Sequence, residues 1–211
     1  MKKQVLKKKI TEIAKALTTQ RSKDALAILS EELKNYTEPR SIAVVGDPNK
    51  LVVSDEVAQK TNALALYTDG ACRGNPGPGS YAFIVQDNHS KIIEQQAQAE
   101  KLTTNNKMEL KAIIKGLECL SNQVTPMHEI YVYTDSQYVV NGMKTWIHGW
   151  KKRNWKKADN KAPENLELWQ RLDEQSQICS VIFNWVKGHS GHPQNEYVDG
   201  LANKVLDENG F

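Results

Sequence analysis

The chain has 211 residues, 39% hydrophobic and 25% charged. That apolar share supports a sizeable core, but no run approaches the roughly 18 apolar residues that cross a bilayer, and no continuous apolar stretch follows the basic N-terminus as a secretory signal requires, so neither is expected. The net charge of +3 is unevenly placed: residues 1–62 carry 12 Lys/Arg against 8 Asp/Glu, and residues 63–211 carry 16 against 17.

The first part therefore reads as an arm for a polyanion or as a solvated face. Leu6, Ile10, Ile13 and Leu17 have the spacing of one helix face, and Ser22 can cap a second helix with the stripe Leu26, Leu29, Leu33. Ile42–Val45 and Leu51–Val53 flank Gly46–Lys50 as a β-hairpin, a turn-rich loop between two apolar runs. The polar stretch 54–62 reads as a linker. Residues 1–62 are thus an N-terminal α+β extension, a helical hairpin plus a β-hairpin.

The second unit, 63–211, begins with a short strand, Ala63–Thr68, ending on Asp69. A glycine- and proline-rich loop, Gly70–Ser80, follows. Tyr81–Val85 and Ile92-Ile93 suggest two further strands. Asn105–Leu120 is helical, with Met108, Ala112, Ile113, Leu117 and Leu120 inward. Ile130–Thr134 is a strand ending on Asp135. Helices are expected over Ser136–Trp150 and Asn165–Gln177, a fifth strand over Val181–Val186 and a closing helix over Asn195–Leu206. Strands first and then strands alternating with helices indicate a mixed α/β sheet. Cys72, Cys119 and Cys179 form no CxxC pair and read as free thiols of a reducing, cytoplasmic compartment.

Two acidic residues, Asp69 and Asp135, end strands, where ligand sites of α/β sheets gather. Glu109 lies one turn into a helix and Asp199 on the last one. Four converging carboxylates repel one another unless cations neutralise them. Oxygen-only ligands select hard ions, Mg²⁺ or Mn²⁺, and two such ions about 4 Å apart suit phosphodiester cleavage. Any one of these carboxylates taken alone reads as an ordinary surface residue.

The runs Tyr67-Thr68-Asp69-Gly70-Ala71-Cys72-Arg73-Gly74-Asn75-Pro76-Gly77, Thr103-Thr104-Asn105-Asn106-Lys107-Met108-Glu109-Leu110, Thr134-Asp135-Ser136-Gln137-Tyr138 and Trp185-Val186-Lys187-Gly188-His189-Ser190-Gly191-His192, continuing to Asn195-Glu196 and Asp199, resemble type 1 ribonuclease H of the bacterial type with a basic protrusion. The resemblance covers about 63–207 and leaves out residues 1–62. It implies a ribonuclease H-like mixed five-stranded sheet flanked by helices, acting as a monomer, with protein partners unspecified. The implied activity is endonucleolytic cleavage of the RNA strand of an RNA–DNA hybrid. It also implies that Asp69, Glu109, Asp135 and Asp199 hold two Mg²⁺ ions, which Mn²⁺ could replace. His189, on a mobile glycine-flanked loop, assists proton transfer or product departure.

Telling RNA from DNA requires groups that sense the 2′-hydroxyl. Asn75, Asn105, Asn106 and Gln137 supply amides for this, with the backbone near Cys72 and Arg73; Asn75 and Asn105 also suit turn-forming and helix-capping. Thr104 and Asn165 match the family's pocket for a DNA phosphate, and Thr104 also suits a cap. Residues 146–157 interleave indoles with cations. Trp146 resembles the residue lining the DNA-strand groove, and Lys151, Lys152, Arg153, Lys156 and Lys157 suit phosphate contacts that read no sequence. Trp150, Trp155, Trp169 and Trp185 read as core. The first two helices suggest a helix-turn-helix with the hairpin as a wing; a helical hairpin that packs on the nuclease or another subunit is the alternative. A catalytically idle hybrid-binding protein is the rival to the enzyme.

Overall fold

The structure is a computed structural model and describes Lys23 and residues 51–211; those from Leu51 onward belong to one compact unit. The two helices and the first hairpin arm expected before Leu51 lie outside the described residues. Five strands form one sheet: β1 (Ala63–Cys72), β2 (Gly77–Asp87), β3 (Ile92–Thr103), β4 (Glu129–Thr134) and β5 (Ser180–Trp185), in the order β3-β2-β1-β4-β5. The pairs β1–β2 and β2–β3 are antiparallel, whereas β1–β4 and β4–β5 are parallel. The mixed sheet expected from the sequence is therefore present.

Strand alternation sends side chains to two separate cores. Leu66, Phe83, Val85, Ile130 and Val132 face one side, and Ala65, Tyr67, Ile84, Tyr131 and Tyr133 the other. The first side is covered by helix α2 (Asn105–Leu120), through Met108, Ile113 and Leu117, and by α5 (Leu166–Gln175), through Trp169 and Leu172. The second is covered by α6 (Pro193–Glu208), through Tyr197, Val198, Leu201 and Val205. Between β4 and α5, the long helix expected over 136–150 is three pieces: α3 (Gln137–Asn141), a π-helical turn (Gly142–Trp146) and α4 (Ile147–Lys152).

The strands run further than their apolar cores suggest. The β1–β2 ladder continues to Cys72↔Gly79, so only 73–76 remain of the loop expected over 70–80. Most of the polar sequence of β3 also pairs, because an edge strand needs backbone partners on one side rather than two apolar faces.

The segment read as a hairpin arm plus linker behaves differently. Leu51 and Val53 form no strand, and a one-turn helix, α1 (Asp55–Ala58), follows. Leu51, Val53 and Val57 are buried in the α6-side core. Lys60 Nζ donates to Glu129 Oε2 at 2.6 Å and to the Tyr131 hydroxyl at 2.5 Å. Residues 51–60 thus pack with the second unit rather than linking to it.

Candidate active site

Asp69 is buried in β1 opposite Ala82, three residues before the strand ends rather than at its end. Its Oδ1 accepts from the Gly70 N–H at 2.8 Å. A Cβ on Gly70 would overlap the backbone of Met108 and Glu109. Glycine therefore lets the start of α2 lie against β1 and brings Glu109 to the strand. Burial, then the charges of Asp135 and Asp199 and a side-chain hydrogen bond with Asp199, hold the Asp69 carboxyl well above the ordinary range.

Glu109 accepts from Asn105 Nδ2 at 2.6 Å and from the Ser136 hydroxyl. Burial pushes its carboxyl up and the Asp135 charge adds to that, while the Ser136 and Asn105 hydrogen bonds oppose it. Ser136 also caps α3, accepting from the Val139 N–H at 3.2 Å. Asp135 follows β4 directly; its Oδ2 accepts from Asn195 Nδ2 at 3.4 Å and its carbonyl from Trp185 Nε1 at 3.0 Å. Asp199 lies on α6, where Asn203 Nδ2 donates to its Oδ1 at 2.8 Å.

Of the four carboxylates expected from the sequence, Asp69 thus feels Asp135 and Asp199, and Glu109 feels Asp135. Among the described residues, no three acidic, histidine or cysteine groups close around one point as a finished metal site. The donor chemistry nonetheless fits divalent ions. All donors are oxygens, and Asp69 and Glu109 already feel repulsion that a hard cation would relieve.

His189 is exposed on the loop between β5 and α6, with φ +49°. That loop is tied down by the Ser190 hydroxyl donating to the Lys187 carbonyl at 2.5 Å and the Gly191 N–H donating to Glu196 Oε1 at 2.9 Å. It is continuous with α6, which His192 caps by accepting from the Asn195 N–H at 3.4 Å. Burial lowers the His192 pKa, which keeps that ring nitrogen free to accept.

Of the expected substrate contacts, Asn75 Oδ1 accepts from the N–H of Asn105, the residue whose side chain bonds Glu109, at 3.3 Å. Thr104 stands at the N-cap of α2, but its hydroxyl makes no capping bond. Asn165 has a left-handed φ of +57° and donates to the Tyr138 hydroxyl at 3.3 Å. Asn106 is partly exposed and Gln137 exposed. The Cys72 thiol donates to the Gly74 carbonyl at 2.7 Å, and Arg73 pairs with Asp207 at 2.5 Å. All three cysteines are free.

In the basic segment, Trp146 is exposed and stands 5.8 Å edge-on from Tyr138 and 5.9 Å from Trp150. These rings line a cleft of about 550 Å³ with Arg153 and Lys157. Lys151 meets Asp173 at 2.7 Å. Lys152, Arg153 and Lys156 are exposed. Trp150 and Trp169 are buried and Trp155 packs on the core, as expected, but Trp185 is 45% exposed. It is the last residue of β5, at the edge of the sheet, and is corrected from a core to a surface residue.

Ser136, Asn195 and the close backbone approaches of Gly70 and Gly188 lie within the matching sequence blocks. Only the tertiary contacts show what they hold.

No helix among the described residues is long and apolar enough to cross a membrane. The RNase H family matches residues 61–207. Ribonuclease H of Dechloromonas aromatica is 47% identical over 146 residues, covering 69% of this chain and 94% of that protein. Ribonuclease H of Cereibacter sphaeroides is 49% identical over 142 residues, covering 66% and 91%. The crystal structure of LC9-RNase H1, described as a type 1 RNase H with the type 2 active-site motif, is 34% identical with a TM-score of 0.63, covering 71% of this chain and 74% of that one. A match over most of the chain, near-half identity along almost the full length of these relatives and a shared fold together place the chain in the RNase H family.

Proposed function

We propose that this protein cuts the RNA strand of RNA–DNA hybrids endonucleolytically, by two-metal-ion hydrolysis. The observation that carries the reading is the meeting of Asp69, Glu109, Asp135 and Asp199 at the C-terminal side of β1 and β4, with Asp69 pressed toward its protonated form by burial and then by the charges of Asp135 and Asp199. Asp69, Glu109, Asp135 and Asp199 would hold two divalent ions, Mg²⁺ or Mn²⁺. Such ions supply an activated water and stabilise charge on the leaving oxygen. Ser136, Asn105 and Asn195 fix the carboxylate rotamers, so that less order has to be imposed when the site fills.

Asn75, Asn105, Asn106 and Gln137, with the backbone of Cys72 and Arg73, offer donors and acceptors to a ribose 2′-hydroxyl. Thr104 and Asn165 stand at the N-caps of α2 and α5, suited to a DNA phosphate. Trp146 offers a stacking face for the DNA strand, and Lys151, Lys152, Arg153, Lys156 and Lys157 contribute charge to backbone binding. His189, exposed and next in sequence to Gly188, whose backbone meets Asp135, assists proton transfer or product departure. Residues 1–62 add a net +4 that favours nucleic-acid association. Free thiols suit a reducing cytoplasmic compartment.

Incubation with RNA–DNA, RNA–RNA and DNA–DNA duplexes in Mg²⁺ tests this. Only the hybrid's RNA strand is expected to be cut internally, and Asp135→Asn is expected to bind hybrid without cutting it. Cutting of all three duplexes, or near-normal turnover of Asp135→Asn at saturating Mg²⁺, rejects the reading. Binding of hybrid without cutting by the parent protein would point to the idle binding module.

A further inference from the structure

Residues 51–60 lie outside the segment that matches the RNase H family, yet they reach the support of the catalytic loop. The link is two buried glutamines. Gln86, the penultimate residue of β2, is fully buried, and Gln194, the second residue of α6, is 2% exposed. Gln86 Nε2 donates to the Leu51 carbonyl and to the Ser90 carbonyl, each at 2.7 Å. Gln194 Nε2 donates to the Val52 carbonyl at 2.7 Å and reaches Gln86 Oε1 at 3.3 Å.

The segment is fixed from other sides too. The Val53 N–H donates to the Ser90 hydroxyl at 3.0 Å, and Leu51, Val53 and Val57 are buried. Ser54 Oγ shares a 2.9 Å hydrogen bond with the Tyr133 hydroxyl. Tyr133 stacks on Tyr67 at 4.8 Å, and both rings lie against His192, 6.4 and 5.9 Å away.

Gln194 stands between the residue groups that matter. His192, two residues before it, caps α6, and Asn195, directly after it, bonds Asp135. Glu196, two residues after it, holds the Gly191 N–H of the His189 loop. A buried amide that loses its acceptor is left unsatisfied away from water, so the first turn of α6 is held where Val52 meets it.

We infer that Gln194 is a positioning residue: anchored to the Val52 carbonyl of a segment outside the family's span, it fixes the start of α6 and thereby the placement of His189. The segment 51–60 is in this sense part of the catalytic apparatus. The inference rests on the proposed nuclease activity.

The test is a double-mutant cycle in the full chain with Gln194→Met, which keeps the bulk and removes the donors, His189→Ala, and both together. Melting temperatures establish that each variant is folded at the assay temperature. In the parent background, Gln194→Met is expected to lower kcat about tenfold, within the roughly 10²-fold that a 1 Å misplacement costs, and to leave KM for the hybrid unchanged. In the His189→Ala background it is expected to lower kcat less than about twofold, since the group it positions is gone. An equal fold-change in both backgrounds, a change confined to KM, or no change overturns the inference. If Gln194→Met does not fold, Gln86→Met, which frees the Leu51 end of the same link, is read by the same criteria. If the parent cuts no hybrid, the nuclease reading fails; if it cuts and the coupling is absent, only the positioning role fails.

Discussion

The backbone at Gly188 lies against the Asp135 carboxylate, so close that a Cβ there would overlap Oδ2. The loop that carries His189 is thereby seated on one of the four acidic groups. Gly188→Ala forces the loop or the carboxylate to move. We expect kcat to fall by about 10- to 10²-fold, as for a displacement near 1 Å, with the melting temperature little changed. A variant with parental kcat would show that the contact yields freely.

His189→Ala is expected to slow multiple turnover without abolishing it, because proton-transfer assistance contributes about 10²–10⁴-fold at most. Initial rates at saturating hybrid, measured against pH, check this. A parental rate across the profile would remove His189 from the mechanism.

The Asp69 carboxyl, raised by burial and by the charges of Asp135 and Asp199, predicts a pH-dependent stability. Its folded-state pKa exceeds its unfolded value, so the folded state binds the proton more tightly and loses stability as pH rises between the two. The penalty is absent below the ordinary aspartate value of about 3.9 and fully present above the raised one. In chelator, Asp69→Asn is therefore expected to melt higher than the parent at neutral pH, by about 2–4 °C for each kcal/mol relieved. The difference should close on acidification. Mg²⁺ is expected to raise the parent's melting temperature more than the variant's. A variant that melts lower than the parent at neutral pH would contradict the electrostatic account.

Replacing Lys151, Lys152 and Arg153 by Ala is expected to raise KM more than it lowers kcat, and to flatten the dependence of log KM on log salt, since fewer counterions are released. Lys151 already meets Asp173, so Lys152→Ala alone is expected to account for more of the change than Lys151→Ala alone. An unaltered salt slope in the triple variant would reduce the segment to solvated surface.

Deleting residues 1–50 removes 11 Lys/Arg and 6 Asp/Glu and leaves Leu51, Val53 and Val57 in place. We expect a similar melting temperature and weaker, less salt-sensitive binding of hybrid. Deleting 1–62 also removes those three buried side chains, each contributing about 1.5–3 kcal/mol, and is expected to lower the melting temperature clearly. Calorimetry and hybrid titration of both truncations check this; equal melting temperatures would show that residues 51–62 contribute nothing to the fold.

The sequence by itself determined the mixed sheet and the helices over 105–120 and near 193–208, and it named the four acidic positions as candidates. Those signals are local: apolar periodicity and residue blocks at fixed spacing. Tertiary structure decided the rest. The polar β3 is a strand because β2 supplies its hydrogen bonds, and Trp185 is exposed because β5 is an edge. Val57 is the single apolar residue of α1 to be buried, and it has no periodic signal; its place in the core is fixed only by the sheet face beneath it. Likewise nothing local marks Gln194, whose partners Val52 and Gln86 lie 142 and 108 residues away. Local pattern names the elements and the chemistry, whereas contacts between distant residues set which backbone carbonyl a buried amide must meet, and so how the catalytic loop is held.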